Sequence, residues 1–349
     1  MNIPKLILVA CVSWLLLIST SLQAKEFKDS KFSHIEYPDW FIDSPFLELN
    51  DDLANARATG KQGLMVVYST EGCSYCGLFI KKSLGNQEIA AMVRKHFGAV
   101  GLEIFDDTNL VGPQGQESTV KAFAKQEGVM FSPTVLFYDK EGNRVLRITG
   151  YQSPKRFKTT LQYVVGKHYQ TQTIAEYTQR ISKAKAKGVS TAPLRQDPLF
   201  IKPPYILQRN VFPATEPLLV IFETTNCEEC DVFHDKVLGD KQVRDLLKRY
   251  EVVRLDSGDD KTAVVTPDGS RTTPASWYKR QGFSRTPALL FFNERGLTAI
   301  KTDNLVLRQR MMNSINYVNE RAYTKGWSYQ RFARSKAIER NVKKTAKTR

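Results

Sequence analysis

The stretch Leu64-Met65-Val66-Val67-Tyr68-Ser69-Thr70-Glu71-Gly72-Cys73-Ser74-Tyr75-Cys76 decides the fold. Five strand-forming apolar residues run without interruption, a turn follows at Glu71-Gly72, and two cysteines then stand three positions apart. A helix that starts at such a pair has a chemical consequence. Its unpaired N–H groups and positive dipole end stabilise a thiolate on the first cysteine, and the second lies one turn on, within reach of a mixed disulfide. Cys73 is therefore the candidate nucleophile and Cys76 the resolving residue.

Working outward, the same unit recurs. A shift of 154 in numbering places Cys73 on Cys227, Cys76 on Cys230, Pro133 on Pro287 and Gly142 on Gly296. Leu84-Gly85 falls on Leu238-Gly239 and Pro113-Gln114-Gly115 on Pro267-Asp268-Gly269, so the chain carries a duplicated domain without net insertion. In the first copy the pattern predicts a strand at Leu64–Tyr68, a helix from the cysteines, a helix at Gln87–Lys95 and a strand at Ala99–Ile104. A helix near Ser118–Gln126, strands at Thr134–Tyr138 and Arg144–Ile148, and a closing helix with Pro154 at its first position complete it. The second copy predicts strands at Leu218–Phe222, Val252–Leu255 and Ala288–Phe292, a helix running from the cysteines to about Arg249, and another at Ala275–Arg280. Strands alternating with helices and ending in a hairpin specify an α/β fold of two tandem domains, each a mixed central sheet flanked by helices.

The 349 residues divide accordingly. Residues 1–24 read as a signal peptide, since Lys5 precedes 13 apolar-rich residues, Leu6–Ile18, and Ala24 offers a small residue for cleavage. Leu22 departs from the usual cleavage pattern, which keeps an uncleaved membrane anchor as the alternative. Cys11 lies inside the apolar run and is discounted as a lipidation site. Residues 25–169 form the first domain and 170–213 a linker with a helix, Ile174–Ala186, and a proline-rich extended segment. Residues 214–322 form the second domain and 323–349 a basic tail. Once the leader is removed, the four remaining cysteines are the two pairs, each closing a ring too short to constrain the unfolded chain much, which favours chemistry over stapling.

The formal charge is +15, and from Glu320 to Arg349 ten Lys or Arg face two Glu. The tail is read first as solvated and frayed. The sharper reading is peripheral contact with anionic lipid or an acidic partner. Trp327, Tyr329 and Phe332, interleaved with basic residues, are instead suited to docking on the second domain. Nucleic acid is excluded as a partner by export.

The strand, the Cys-x-x-Cys at a helix start, and Ser132-Pro133 and Thr286-Pro287 opening a later strand together resemble the thioredoxin superfamily. The resemblance implies cis prolines beside each disulfide, with the residue before each proline offering its backbone to an extended substrate. Ser132, Pro133, Thr286 and Pro287 are thus the substrate-binding candidates. The first copy is similar more narrowly to SoxW-type periplasmic thioredoxin-related proteins, through Glu71-Gly72-Cys73-Ser74-Tyr75-Cys76, Phe131-Ser132-Pro133-Thr134 and Arg147-Ile148-Thr149-Gly150-Tyr151. That resemblance implies a periplasmic thiol-disulfide oxidoreductase with a reducing or disulfide-handling role toward protein thiols and disulfides; reduction is the favoured direction, with oxidation and isomerisation left open by the sequence. A membrane-embedded electron donor is implied with it, and the redox-active disulfides stand in place of any cofactor. Neither copy has an acid six residues before its first cysteine, where Val67 and Ile221 stand, and the second copy replaces Gly150-Tyr151 by Asn304-Leu305.

The dipeptides between the cysteines distinguish the sites. A carboxylate about 6 Å from a thiolate costs on the order of 1 kcal/mol at an effective dielectric of roughly 40–60, close to one pKa unit. Glu228 and Glu229 oppose thiolate formation at Cys227, whereas Ser74 and Tyr75 carry no charge, so Cys73 is expected to be the more reactive thiol. Two alternatives stay open: a non-catalytic adaptor with structural disulfides, and metal binding by Cys227, Cys230 and His234 along one helical face. His234 is otherwise read as a surface residue, as are His96 and His168, while Phe79, Phe97, Phe123 and Phe137 are assigned to the core.

Overall fold

The computed structural model describes residues 27–29, 33–129, 131–185, 194–225 and 227–347, so the leader segment lies outside the described residues. The first copy runs β1 (Leu47–Glu48), α1 (Leu49–Ala58), β2 (Gly63–Ser69), α2 (Ser74–Leu78), α3 (Gln87–His96), β3 (Phe97–Glu103), β4 (Asn109–Val111), β5 (Glu117–Thr119), α4 (Val120–Gln126), β6 (Thr134–Tyr138), β7 (Arg144–Thr149) and α5 (Pro154–Val165). After α6 (Ile174–Lys185) the second copy runs β8 (Tyr205–Ile206), β9 (Leu218–Glu223), α7 (Glu228–Phe233), α8 (Lys241–Leu247), β10 (Glu251–Asp256), β11 (Val264–Val265), β12 (Arg271–Thr272), α9 (Pro274–Arg280), β13 (Ala288–Phe292), β14 (Thr298–Thr302), α10 (Arg308–Asn319) and α11 (Tyr329–Lys347).

Each copy is built on a four-stranded mixed sheet, β3-β2-β6-β7 and β10-β9-β13-β14, in which only the first pair is parallel. The unbroken apolar runs read from sequence are the central strands, covered on both faces. Met65 and Val67 of β2 enter one core with Phe79, Phe137 and Phe157, while Leu64, Val66 and Tyr68 enter the other with Phe123 and Leu136. In β9, Leu219 and Ile221 pack with Met311, and Leu218, Val220 and Phe222 with Trp277. Phe97 is buried too, so all four phenylalanines assigned to the core lie there.

The duplication extends to the helix caps. Asn86 Oδ1 accepts from Ile89 N at 3.1 Å, and Asp240 Oδ1, at the same repeat position, accepts from Val243 N at 3.1 Å. Thr119 and Thr273 likewise cap α4 and α9. Such caps stabilise a helix by about 1 kcal/mol each, and they explain where the observed elements depart from the sequence pattern. The helix expected from Ser118 starts at Val120 because Glu117–Thr119 first pair with β4. The long helix expected up to Arg249 breaks at Gly239, and Asp240 starts a new one.

Two expectations are corrected. The basic tail is not a frayed segment over Tyr329–Lys347 but the helix α11, which buries Tyr329 and Phe332 in the core of the second copy, the docking that Trp327, Tyr329 and Phe332 suggested; the Phe332 and Tyr317 rings lie 5.5 Å apart. Tyr329, Phe332 and Ala333 form an i, i+3, i+4 stripe that a charge count hides. His234 is not a surface residue: it is 5 % exposed and its Nε2 lies 2.9 Å from the buried Glu223 Oε1. The helical-face argument could not see a partner supplied by the end of β9. His96 and His168 are partly exposed. The linker helix α6 packs on the first copy through Tyr177, whose ring is 5.3 Å from that of Tyr163.

Candidate active site

Both cysteine pairs sit where β2 and β9 deliver the chain to a helix. Cys73 and Cys76 are joined with Sγ atoms 2.16 Å apart, and Cys227 and Cys230 at 2.06 Å. The first cysteine of each pair caps its helix, Cys73 Sγ accepting from Cys76 N at 3.2 Å and Cys227 Sγ from Cys230 N at 3.1 Å. A negative sulfur is favoured at that position by the unpaired amides and the helix dipole. Cys73 is partly exposed while Cys76 is 1 % exposed, which presents the first sulfur to a reaction partner and hides the second. In the second copy both are buried, Cys227 at 8 % and Cys230 at 5 %.

The Ser132-Pro133 and Thr286-Pro287 bonds are both cis, as is Pro203-Pro204. The hydroxyl of Ser132 donates to Cys73 Sγ at 3.5 Å, and the Thr286 hydroxyl lies 3.3 Å from Cys227 Sγ. The structure thus brings all eight residues singled out from the sequence into two clusters of four, and adds a side-chain contact to sulfur where the sequence suggested only a backbone role.

What the sequence did not reveal is that the two clusters face one another. Arg310 of α10 lies over the Tyr75 ring, its guanidinium carbon 3.9 Å from the centroid, and donates to the Ser132 carbonyl at 3.3 Å. Tyr75 OH donates to Asp29 Oδ2 at 3.1 Å and accepts from Leu307 N at 3.1 Å, and burial raises its pKa well above the ordinary tyrosine value. In the opposite direction, Arg156 of α5 pairs with Glu229 at 2.6 Å. Arg156 and Arg310 occupy one repeat position, as do Tyr75 and Glu229, so the two contacts are one interaction exchanged between copies. Gly150 and Asn304, also one repeat position, abut each other, and Arg285 Nη2 bridges Thr149 O at 2.9 Å and Asn304 Oδ1 at 2.7 Å. The copies therefore pack about a pseudo-two-fold axis, like an isologous dimer on one chain.

This packing alters the electrostatics inferred from sequence. Arg156 offsets one of the two glutamates beside Cys227, while Arg310 brings a positive charge to the dipeptide beside Cys73. Glu71 is held by His34 at 3.2 Å and by Ile35 N at 3.3 Å. His234, the third candidate metal ligand, is engaged by Glu223, and Cys227 and Cys230 by each other.

Comparison with known proteins agrees with this architecture. The family described as a thioredoxin-like domain matches twice, over residues 49–165 and 209–318. No curated protein sequence matches the chain. Among solved structures, a thioredoxin-fold protein from Helicobacter pylori is 26 % identical, covers 42 % of this chain and 89 % of its own, and has a TM-score of 0.33. A thioredoxin from Thermus thermophilus is 24 % identical, covering 34 % and 85 % at a TM-score of 0.28. The C-terminal domain of Neisseria meningitidis DsbD in its reduced form is 12 % identical, covering 32 % and 84 % at a TM-score of 0.23. With both copies matched and both Cys-x-x-Cys pairs at disulfide distance, the chain belongs to the thioredoxin-like family as a tandem of two such domains.

Proposed function

We propose that the chain is an exported thiol-disulfide oxidoreductase that exchanges disulfides with protein thiols through Cys73, with Cys76 as resolving residue and reduction as its direction. The observation that carries this reading is the asymmetry of the first pair: a partly exposed sulfur at a helix start, contacted by the Ser132 hydroxyl, bonded to a sulfur 1 % exposed. In this direction the Cys73 thiolate attacks a substrate disulfide and displaces one substrate thiolate, Cys76 then attacks Cys73 Sγ of the mixed disulfide and releases the other, and the Cys73–Cys76 disulfide so formed is returned to the dithiol by the electron donor. Export rests on the N-terminal apolar segment, and the electron donor is taken to be a membrane-embedded partner; no helix among the described residues is long and apolar enough to cross a membrane.

The second dithiol serves as relay or as binding module. Its place on the same interdomain seam supports the relay, and the 8 % exposure of Cys227 favours the binding role. Reduction potentials of each pair, measured with the other changed to serine, test the whole reading. A value near roughly −270 mV for Cys73–Cys76 is expected of a reductase, and one near roughly −120 mV would make it an oxidant. A mixed disulfide between Cys73 and Cys227 in the Cys76→Ser/Cys230→Ser variant is expected of a relay; its absence under oxidising conditions leaves the second domain a binding module.

A further inference from the structure

The first disulfide opens into a cleft of about 260 Å³ formed between the two domains, with Cys73 and Tyr75 on one side and α10 and α11 on the other. This is the volume of about nine liquid waters, and it lies below the ~300–1,000 Å³ of sites for drug-sized ligands. The Ser132 carbonyl, which an extended peptide would need, is already taken by Arg310. Arg310 occupies one acceptor site of that carbonyl and so hinders the docking of an extended peptide, whereas a small molecule enters the cleft as it stands.

The lining specifies the chemistry of that molecule. Its two carboxylates are occupied, Asp29 Oδ2 by Tyr75 OH and Arg310 N, and Glu71 by His34 and Ile35 N. Arg334, which is exposed, and Arg340, which is half-buried, also line the cleft from α11 and have no carboxylate at ion-pair distance among the described residues. Arg334 lies over the Phe105 ring at 5.7 Å and Arg340 donates only to the neutral Asn313 Oδ1 at 3.3 Å. Burial lowers the pKa of Arg340 against the opposing pull of Asp29, Tyr329 and Glu339. Independently, Gln330 is 6 % exposed, lines the same cleft, and leaves its Nε2 without a hydrogen-bond partner. The Gln330 amide nitrogen is closed off from the cleft as it stands, and the ligand preference rests on the guanidiniums: without carboxylate partners, beside carboxylates already engaged, they favour an anionic occupant through charge-assisted hydrogen bonds.

We infer that this cleft is a binding site for a low-molecular-weight thiol carrying a carboxylate, which exchanges with the Cys73–Cys76 disulfide in the closed form of the protein. The inference rests on the exchange role proposed for Cys73 and names a second class of substrate for it. The thiolate attacks Cys73 Sγ, a bond forms between the two sulfurs, and the electron pair of the Cys73–Cys76 bond leaves on Cys76, which takes a proton. A second thiolate attacks the small-molecule sulfur of the mixed disulfide and releases the Cys73 thiolate. Two thiols thereby yield one small disulfide and the protein dithiol, with two electrons transferred.

The test uses the oxidised full-length chain and follows the Cys73–Cys76 pair by alkylation and peptide mass spectrometry. Reduction by 3-mercaptopropionate is compared with reduction by neutral 2-mercaptoethanol, each rate expressed per thiolate. The carboxylate thiol is expected to react about tenfold faster, with saturation, and to be competed by 3-(methylthio)propionate. Arg334→Ala/Arg340→Ala is expected to lose both the preference and the saturation, and Arg331→Ala, on the same helix outside the cleft, to keep them. Equal, non-saturating rates for both thiols in the unaltered chain would overturn the site while leaving exchange at Cys73 intact. Resistance to both thiols and to dithiothreitol would remove the exchange role and the site together.

Discussion

At the scale of single residues, the two disulfides share a backbone and differ in surroundings. Cys73 has the neutral Ser74-Tyr75 pair and the Arg310 guanidinium nearby, whereas Cys227 has Glu228 exposed and Glu229 held by Arg156. Thiolate absorbance titrations of the reduced protein should give Cys73 the lower pKa, and Arg310→Ala should raise it by roughly one unit through loss of the nearby positive charge. A lower value at Cys227 would mean that helix-end effects outweigh these side-chain charges. The same comparison shows what was legible: the residue types and spacing named both nucleophiles, but Arg310 lies more than two hundred positions from Cys73, where no spacing rule reaches.

At the scale of elements, the buried Glu223–His234 pair ties the end of β9 to the turn that follows α7. Removing one partner leaves the other buried without compensation, so Glu223→Ala should cost about 3 kcal/mol in denaturant unfolding of the second domain. Glu223→Leu/His234→Leu should cost less; a larger loss in the double variant would show that the pair itself stabilises the domain. Helix α1 carries a pH dependence. Burial, and then Asp51 and Glu48, push the Asp52 carboxyl up to about 6, above its value of about 3.9 in the unfolded chain. Between those values the native state binds more protons, so stability falls as pH rises through the window. Asp52→Asn should therefore raise the melting temperature at pH 7.5 and leave it unchanged near pH 4; equal shifts at both would refute the linkage. The strands were readable because burial on both faces leaves an unbroken apolar run, whereas the start of α4 depends on β5 pairing first.

At the scale of the whole molecule, the duplication has become a pseudo-two-fold pair whose reactive faces turn inward. Gly150 is pivotal: its φ is +80°, and a Cβ there would collide with the Asn304 side chain. Gly150→Ala should loosen the seam, seen as an increased radius of gyration in small-angle scattering and faster alkylation of Cys227 after reduction. Unchanged scattering and alkylation would show that the seam absorbs the methyl group. The helix α11 completes the closure, since Tyr329 packs against Phe131 of the first domain at 5.2 Å while lying in the core of the second.

The sequence by itself determined the two-domain α/β architecture, the central strands and both Cys-x-x-Cys sites, because each depends on neighbours within a few residues or on the exact repeat. Only the tertiary structure decided which faces meet, that His234 is buried, and that Cys73 opens into a cleft lined by α11. Those features depend on contacts between residues up to two hundred and eighty positions apart, such as Arg310 N on Asp29, and local patterning carries no information about them.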